Sequence, residues 1–141
     1  MTFLGIVLFF AIQQSHHPMG FDEQKSTHHF ILTASGGYID VSAKDVKDSS
    51  MRSEIQSHLK HIAVMFKEGN FEIPMLVHGE SPAGVPALKK LKDRIAYAYR
   101  PAGNGGRITI TSKDRDALAA IHDFLRYQIK EHKTGDSLTV K

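Results

Sequence analysis

Histidine is the residue type whose number and spacing point to chemistry in this sequence. The chain holds nine histidines but no cysteine and no tryptophan. A neutral imidazole is a good ligand for copper, zinc and nickel, whereas the lack of cysteine excludes disulfides and thiolate metal sites. We therefore predict a metal site built from imidazoles. The candidate ligands are His28, His29, His58, His61 and His122.

The spacing of these histidines places several of them on shared faces. His58 and His61 are three residues apart in a segment of helical periodicity, so they lie on one side of a helix, with Met65 one turn further on. His28 alternates with Phe30 in a segment of strand periodicity and shares its face. If that strand face meets the helix, His28 converges with His58 or His61.

Copper is the ion that we favour, ahead of zinc and nickel, because two or three neutral imidazoles with a nearby thioether suit it. His122 and His132 border a second helix and extend the set, and Met75 and His78 form a further pair. The opposing interpretation is that each histidine is half-buried at the margin of an apolar stripe and bonded to a backbone carbonyl or a carboxylate.

The sequence favours a binding protein over an enzyme. It contains no GxSxG, Walker loop, GxGxxG or HExxH motif. We predict a small metal-binding or metal-handling protein. Two alternatives stay open: a non-catalytic interaction or dimerisation module with structural or pH-sensing histidines, and an enzyme with a histidine as general base. We expect no nucleic-acid partner, because the net charge is only +3 and Asp93 interrupts the one tight basic run.

An internal repeat determines where the histidines lie. The segment GGYIDVSAKD at residues 36–45 returns as GGRITITSKD at residues 105–114. Each copy has a Gly-Gly turn, alternating apolar residues and an acidic helix start, which predicts a hairpin, a strand and a helix. The sequence thus predicts an α+β fold, a duplicated β-β-α unit whose four-stranded antiparallel sheet is covered on one face by two helices.

One α+β domain accounts for most of the chain. We expect the connector between the halves to hold at best an edge strand at residues 71–77, because Pro74 lacks an N–H for a sheet. The open face of the sheet, which includes Ile31, is a predicted homodimer contact. The predicted domain covers residues 27–136, with halves at 27–70 and 94–134 and a connector at 71–93.

The N-terminal residues predict export. Residues 3–12 are uncharged, too few for the about 20 residues that span a membrane, and of the length of a signal-peptide core. We predict a signal peptide over residues 1–15, a polar tether over 16–26, and no stable membrane span. The expected location is periplasmic or secreted, in a bacterium.

The motifs THHF, HLKHIA and FLRYQIKEHKTGD, with the run GNFEIPMLVHGESPAGVPALKKLKDRI, carry a family resemblance. Over residues 19–136 the chain resembles a family of small bacterial proteins that typically carry export signals and histidine-bearing N-termini. The resemblance implies no settled activity. Some members of that family are labelled aspartate carbamoyltransferase, but this chain lacks that enzyme's Ser-x-Arg-Thr-Arg phosphate-binding motif and is too short for its two α/β domains.

Overall fold

Two hairpins form one four-stranded antiparallel sheet. The structure, a computed structural model, describes residues 20–141; the signal peptide falls outside them and stays a prediction. The strands lie in the order β1-β2-β4-β3, so the second strand of each hairpin is central. Helices cover one face, and the predicted α+β fold is confirmed. The strands are β1 (Ser26–Thr33), β2 (Gly36–Ala43), β3 (Ile95–Ala102) and β4 (Gly105–Ser112); the helices are α1 (Ser49–Lys67), α2 (Glu72–His78), α3 (Val85–Lys90) and α4 (Arg115–His132).

The pairing of β2 with β4 reveals an approximate two-fold axis. Ile39 lies opposite Ile108, and the equivalent residues of the two central strands are 69 positions apart throughout. A methyl group on Gly36 would collide with the carbonyl oxygen of Ile110, and one on Gly105 with the carbonyl oxygen of Val41. These two contacts are related by the same axis. The repeated glycines therefore allow the close approach of the two halves.

Aspartate side chains start both long helices, as the sequence predicts. The Asp48 carboxylate accepts a hydrogen bond from the Met51 N–H at 2.9 Å, and Asp114 accepts from the Asp116 and Ala117 N–H groups at 3.0 and 2.9 Å. These caps satisfy backbone donors that have no partner inside the helix. The caps are 66 residues apart, so the two helices correspond at an offset of 66.

The helices cross over between the halves. Helix α1 packs mainly against β3 and β4, whereas α4 makes its largest sheet contact with β1. The apolar stripe of α1 is buried: Ile55, Leu59, Ile62 and Phe66. Since each helix depends on the opposite hairpin, neither half has a complete core of its own.

Two segments differ from the sequence-based expectation. Residues 72–78 form the short helix α2 and not an edge strand, because Pro74 sits in the first helical turn, where its missing N–H has no intrahelical role. Phe21, placed in the predicted tether, is only 2% exposed and belongs to the core. Within residues 20–141, no helix combines the length and the apolar character needed to cross a bilayer.

We expect Gly105→Ala to lower the free energy of unfolding by about 3 kcal/mol, because the added methyl group meets a backbone carbonyl inside the sheet. Urea denaturation followed by circular dichroism measures the loss. Gly79→Ala is the control. Gly79 has a φ of +71° and no atom near the added methyl group, so left-handed strain of about 1 kcal/mol is its main cost. Equal losses would contradict a role for Gly105 in close strand packing.

An imidazole-lined cavity as the candidate functional site

An apolar cavity of about 60 Å³ lies between the sheet and helices α1, α2 and α4. Its floor includes Ile39 and Ile108, the residue pair on the two-fold axis. Helix α2 contributes Ile73, Pro74 and Val77 to the lining, and none of its residues is fully buried. The lining contains neither a carboxylate nor a lysine or arginine. Its polar side chains are His28, His58, His78, Gln128 and His132.

Three of these imidazoles form a continuous run of ring contacts. The His28 and His132 rings stack, with centroids 5.2 Å apart and planes at 11°. The His132 and His78 rings lie edge to face, with centroids 5.0 Å apart and planes at 85°. His28 comes from β1, His78 from the end of α2 and His132 from the end of α4. Three separate elements therefore bring these rings together.

Phe21 lies against both His28 and His58. Its ring centroid is 6.2 Å from that of His28 and 5.3 Å from that of His58. His58 thus reaches the cavity next to an aromatic ring. Among residues 20–141, no group of three or more histidine, aspartate or glutamate side chains is already arranged to hold a metal ion.

Hydrogen bonding leaves two polar atoms in the cavity lining without a partner. His78 Nε2 is 2.8 Å from Gln128 Oε1, a hydrogen-bonding distance. The His28 Nε2 and the Gln128 side-chain nitrogen are both buried and make no hydrogen bond. An unsatisfied buried polar group costs about 1 to 3 kcal/mol. The site therefore retains unused hydrogen-bonding capacity.

The two-fold relation pairs two of these polar groups, Gln128 and His132, with apolar residues of the other half. At the strand offset of 69, His28 corresponds to Tyr97; at the helix offset of 66, His132 corresponds to Phe66. By the same offset, Gln128 corresponds to Ile62. Phe66 and Ile62 are buried and fill their positions with apolar atoms. Tyr97, the counterpart of His28, is polar and has a buried hydroxyl without a hydrogen-bond partner, so the departure from symmetry is limited to Gln128 and His132.

Burial keeps three of the imidazoles neutral. It lowers the pKa of His28 to about 4, with further lowering from repulsion by His132, His58 and His29. The pKa of His58 is also lowered to about 4, by burial and then by His61. Burial, followed by repulsion from His78, lowers the pKa of His132 to about 4. Around neutral pH all three imidazoles are in the form that binds metals.

The structure brings only part of the predicted ligand set to the cavity. His28 and His58 line it. His29 points to the open sheet face, where its Nδ1 is 3.0 Å from the Asp136 carboxylate. His61 is exposed in a surface groove beside Gly20. His122 Nε2 donates to the Thr33 carbonyl at 2.8 Å, a bond that matches the structural interpretation.

Three residues line the cavity but are not among the predicted ligands: His78, Gln128 and His132. An alignment of the two helices by their aspartate caps would have found two of them. In that register, Gln128 and His132 stand where the first helix has Ile62 and Phe66. No sequence signal places His78, since the connector has no counterpart in the other half.

Fold and site together define a small α+β protein with an apolar, imidazole-lined cavity. Neither a family model, nor a curated protein, nor a solved structure matches the chain.

We expect the stability of the metal-free protein to fall as the pH falls from about 6.5 to about 4. The unfolded-state pKa of histidine is about 6.5, whereas the folded-state pKa values of His28, His58 and His132 are about 4. The unfolded chain therefore binds more protons in this window. Urea denaturation with a chelator present, at several pH values, measures the slope.

Substitution of one buried imidazole by its apolar counterpart tests the source of this slope. His132→Phe should flatten the pH dependence, and His61→Ala, which removes only the smaller influence on the pKa of His58, should change it less. The other titratable groups near His132 are His28 and His78, and Glu131 lies 4.0 Å from His78 Nδ1. A slope equal to that of the wild type in His132→Phe would contradict the assignment.

Proposed function

We propose that the protein is a small metal-binding protein that holds one copper ion, in the monovalent state, in its apolar cavity. The proposed ligands are His28 and His132, and His78 becomes a third ligand when its Nε2 leaves Gln128. The observation that supports the proposal best is the buried, unpartnered Nε2 of His28 in contact with the ring of His132, which in turn contacts His78.

The spacing of the rings suits a shared ion. Two imidazoles bound to one ion through bonds of about 2.0 Å have ring centres about 5 to 6 Å apart. The centroid separations of 5.2 Å and 5.0 Å along the run fall in that range. Because the His28 and His132 rings are stacked, one of them has to rotate before both nitrogens point to the ion.

The charge of the lining favours a monovalent ion. Burying a charge without a counter-charge is costly, and the cost rises with the square of the charge. The lining offers neutral imidazoles but no carboxylate, so Cu(I) loses less solvation energy here than Zn²⁺ or Ni²⁺. Neither Met65 nor Met75 lines the cavity, and the thioether expected from the sequence has no part in this proposal.

The size of the cavity also favours an ion. Sites for drug-sized organic molecules have volumes of about 300 to 1,000 Å³, whereas this cavity measures about 60 Å³. An ion with a small additional ligand fits this space without displacement of α2. The same volume is too small for a larger cofactor.

Anaerobic titration of the protein with Cu(I), against a chromogenic competitor, tests the proposal. We expect a dissociation constant well below about 10 µM for Cu(I) and weaker binding of Zn²⁺ and Ni²⁺ in parallel titrations. His132→Phe, which copies Phe66 of the other half, should weaken Cu(I) binding by at least about 100-fold, or about 2.7 kcal/mol.

His61→Ala is the matched control, since it removes a histidine outside the cavity and should leave the Cu(I) affinity unchanged. Circular dichroism confirms that each variant is folded. Absence of Cu(I) binding in the wild type, or an equal affinity in His132→Phe, would refute the proposal. A loss in His61→Ala but not in His132→Phe would move the site to the surface groove.

Homodimerisation through the open sheet face is a second candidate function. It is favoured by side chains at the centre of that face that hold one another in place. Arg107 donates two hydrogen bonds of 2.6 Å to the Asp40 carboxylate, and its guanidinium lies 3.8 Å above the Tyr38 ring. Tyrosine and arginine are enriched in protein interfaces. Side chains that are already held in place lose little entropy on association.

Sedimentation velocity of the metal-free protein tests this second candidate. We expect a dimer at pH 7.5. Arg107→Ala should shift the wild-type dimer toward monomer, whereas Arg115→Ala, at the exposed start of α4, should not. A wild-type monomer at the highest soluble concentration would exclude the dimer.

A further inference from the structure

The outer edge of β1 is covered by residues 136–141 of the same chain. The Asp136 carboxylate accepts a hydrogen bond of 3.0 Å from the Phe30 N–H, and the Lys141 N–H donates to the Leu32 carbonyl at 3.0 Å. An edge strand normally leaves such backbone groups free for pairing with another chain. A further strand can therefore pair with β1 only if this segment leaves.

The outer edge of β3 has no strand beside it among residues 20–141. The Ser112 N–H of β4 bonds to the residue just before β2, so the adjacent Thr111 turns its backbone groups toward its β3 partner, Ala96. Because the direction alternates along a strand, the N–H and C=O groups of Tyr97 and Tyr99 point away from β4. In the described part of the chain, no other strand pairs with them.

The middle of β3 lacks the features that usually discourage pairing at an edge. Residues 95–99, IAYAY, carry no charge, whereas protected edges commonly present charged residues or proline. On β3 these types occur only toward its end, as Arg100 and Pro101. The N–H that Pro101 lacks belongs to the outward series, so pairing with another strand ends there. The free edge is therefore confined to the uncharged part of β3.

This edge is complementary to a second copy of itself. In an antiparallel pair with a two-fold axis at Ala98, Tyr97 of one copy lies opposite Tyr99 of the other, and the two residues exchange both backbone hydrogen bonds. Ala98, which is exposed, lies opposite its own copy without bulk or charge. Arg100 lies opposite Ala96 of the second copy, so the pairing opposes no like charges.

We propose that β3 is the interface of a homodimer in which two copies pair edge to edge and join their four-stranded sheets into one continuous sheet. The covered edge of β1 explains why the assembly stops at two copies. Pairing uses both β3 edges, and residues 136–141 close the two outer edges of the joined sheet. This interface competes with the open sheet face as the site of dimerisation and does not depend on the copper site.

Amide hydrogen exchange of the metal-free protein, followed by nuclear magnetic resonance at increasing protein concentration, tests this interface. We expect a dimer by sedimentation velocity and, from monomer to dimer, at least about 10-fold slower exchange of the Tyr97 and Tyr99 N–H groups, because pairing protects them. The Phe30 N–H is the internal reference, since Asp136 holds it at every concentration. A wild-type monomer at the highest soluble concentration, or a dimer with unprotected Tyr97 and Tyr99, would overturn the proposal. Species larger than a dimer would contradict the role of the covered β1 edge.

Two substitutions on the same sheet face separate the edge from the open face. Ala98→Glu opposes two carboxylates at the axis and should give a monomer. Thr109→Glu is the matched control, because Thr109 is the β4 neighbour of Ala98, one strand away from the edge. An edge-to-edge dimer persists in Thr109→Glu and in Arg107→Ala, whereas a dimer through the open face is weakened by both. Circular dichroism confirms that each variant is folded. A dimer that survives Ala98→Glu refutes the edge-to-edge interface.

Discussion

The central strands β2 and β4 approach each other around Ile39 and Ile108, and the rest of the molecule depends on this contact. A side chain at Gly36 or Gly105 would strike a carbonyl of the opposite strand, so glycine at these two positions lets the hairpins join into one sheet. A joined sheet offers a single apolar face. The two long helices cross over onto it, each toward the other hairpin, and the core closes only when both halves are present.

The approximate two-fold makes the departures from symmetry informative. A duplicated scaffold begins with equal side chains at equivalent positions, and packing alone favours apolar atoms on the buried face. Imidazoles and an amide occupy one side of the cavity, whereas Phe66 and Ile62 occupy the equivalent sites on the other. Since apolar residues fill these positions in one half, the polar residues at the equivalent positions of the other half need a separate explanation. The proposed copper ion would supply it.

The energetics of the cavity are consistent with this explanation. Neutral imidazoles tolerate an apolar environment, and their stacking against one another and against Phe21 buries ring surface. The free His28 and Gln128 nitrogens gain nothing from this packing and lose the hydrogen bonds that water would give them. The proposed ion would recover part of that loss. Without a ligand, the His28 and Gln128 nitrogens are buried and have no hydrogen-bond partner.

By itself the sequence determined the fold class, the four strands, the two capped helices and the apolar stripe of α1. These features depend on local periodicity, on turn glycines and on capping aspartates, all of which are short-range. It also placed His28 and His58 on faces that meet the core. Only the tertiary structure decided that His132 and His78 join His28, that His122 turns to the Thr33 carbonyl, and that the connector is helical. Those outcomes depend on how α2 and α4 pack across the sheet. Such long-range contacts produce no periodic pattern in the sequence.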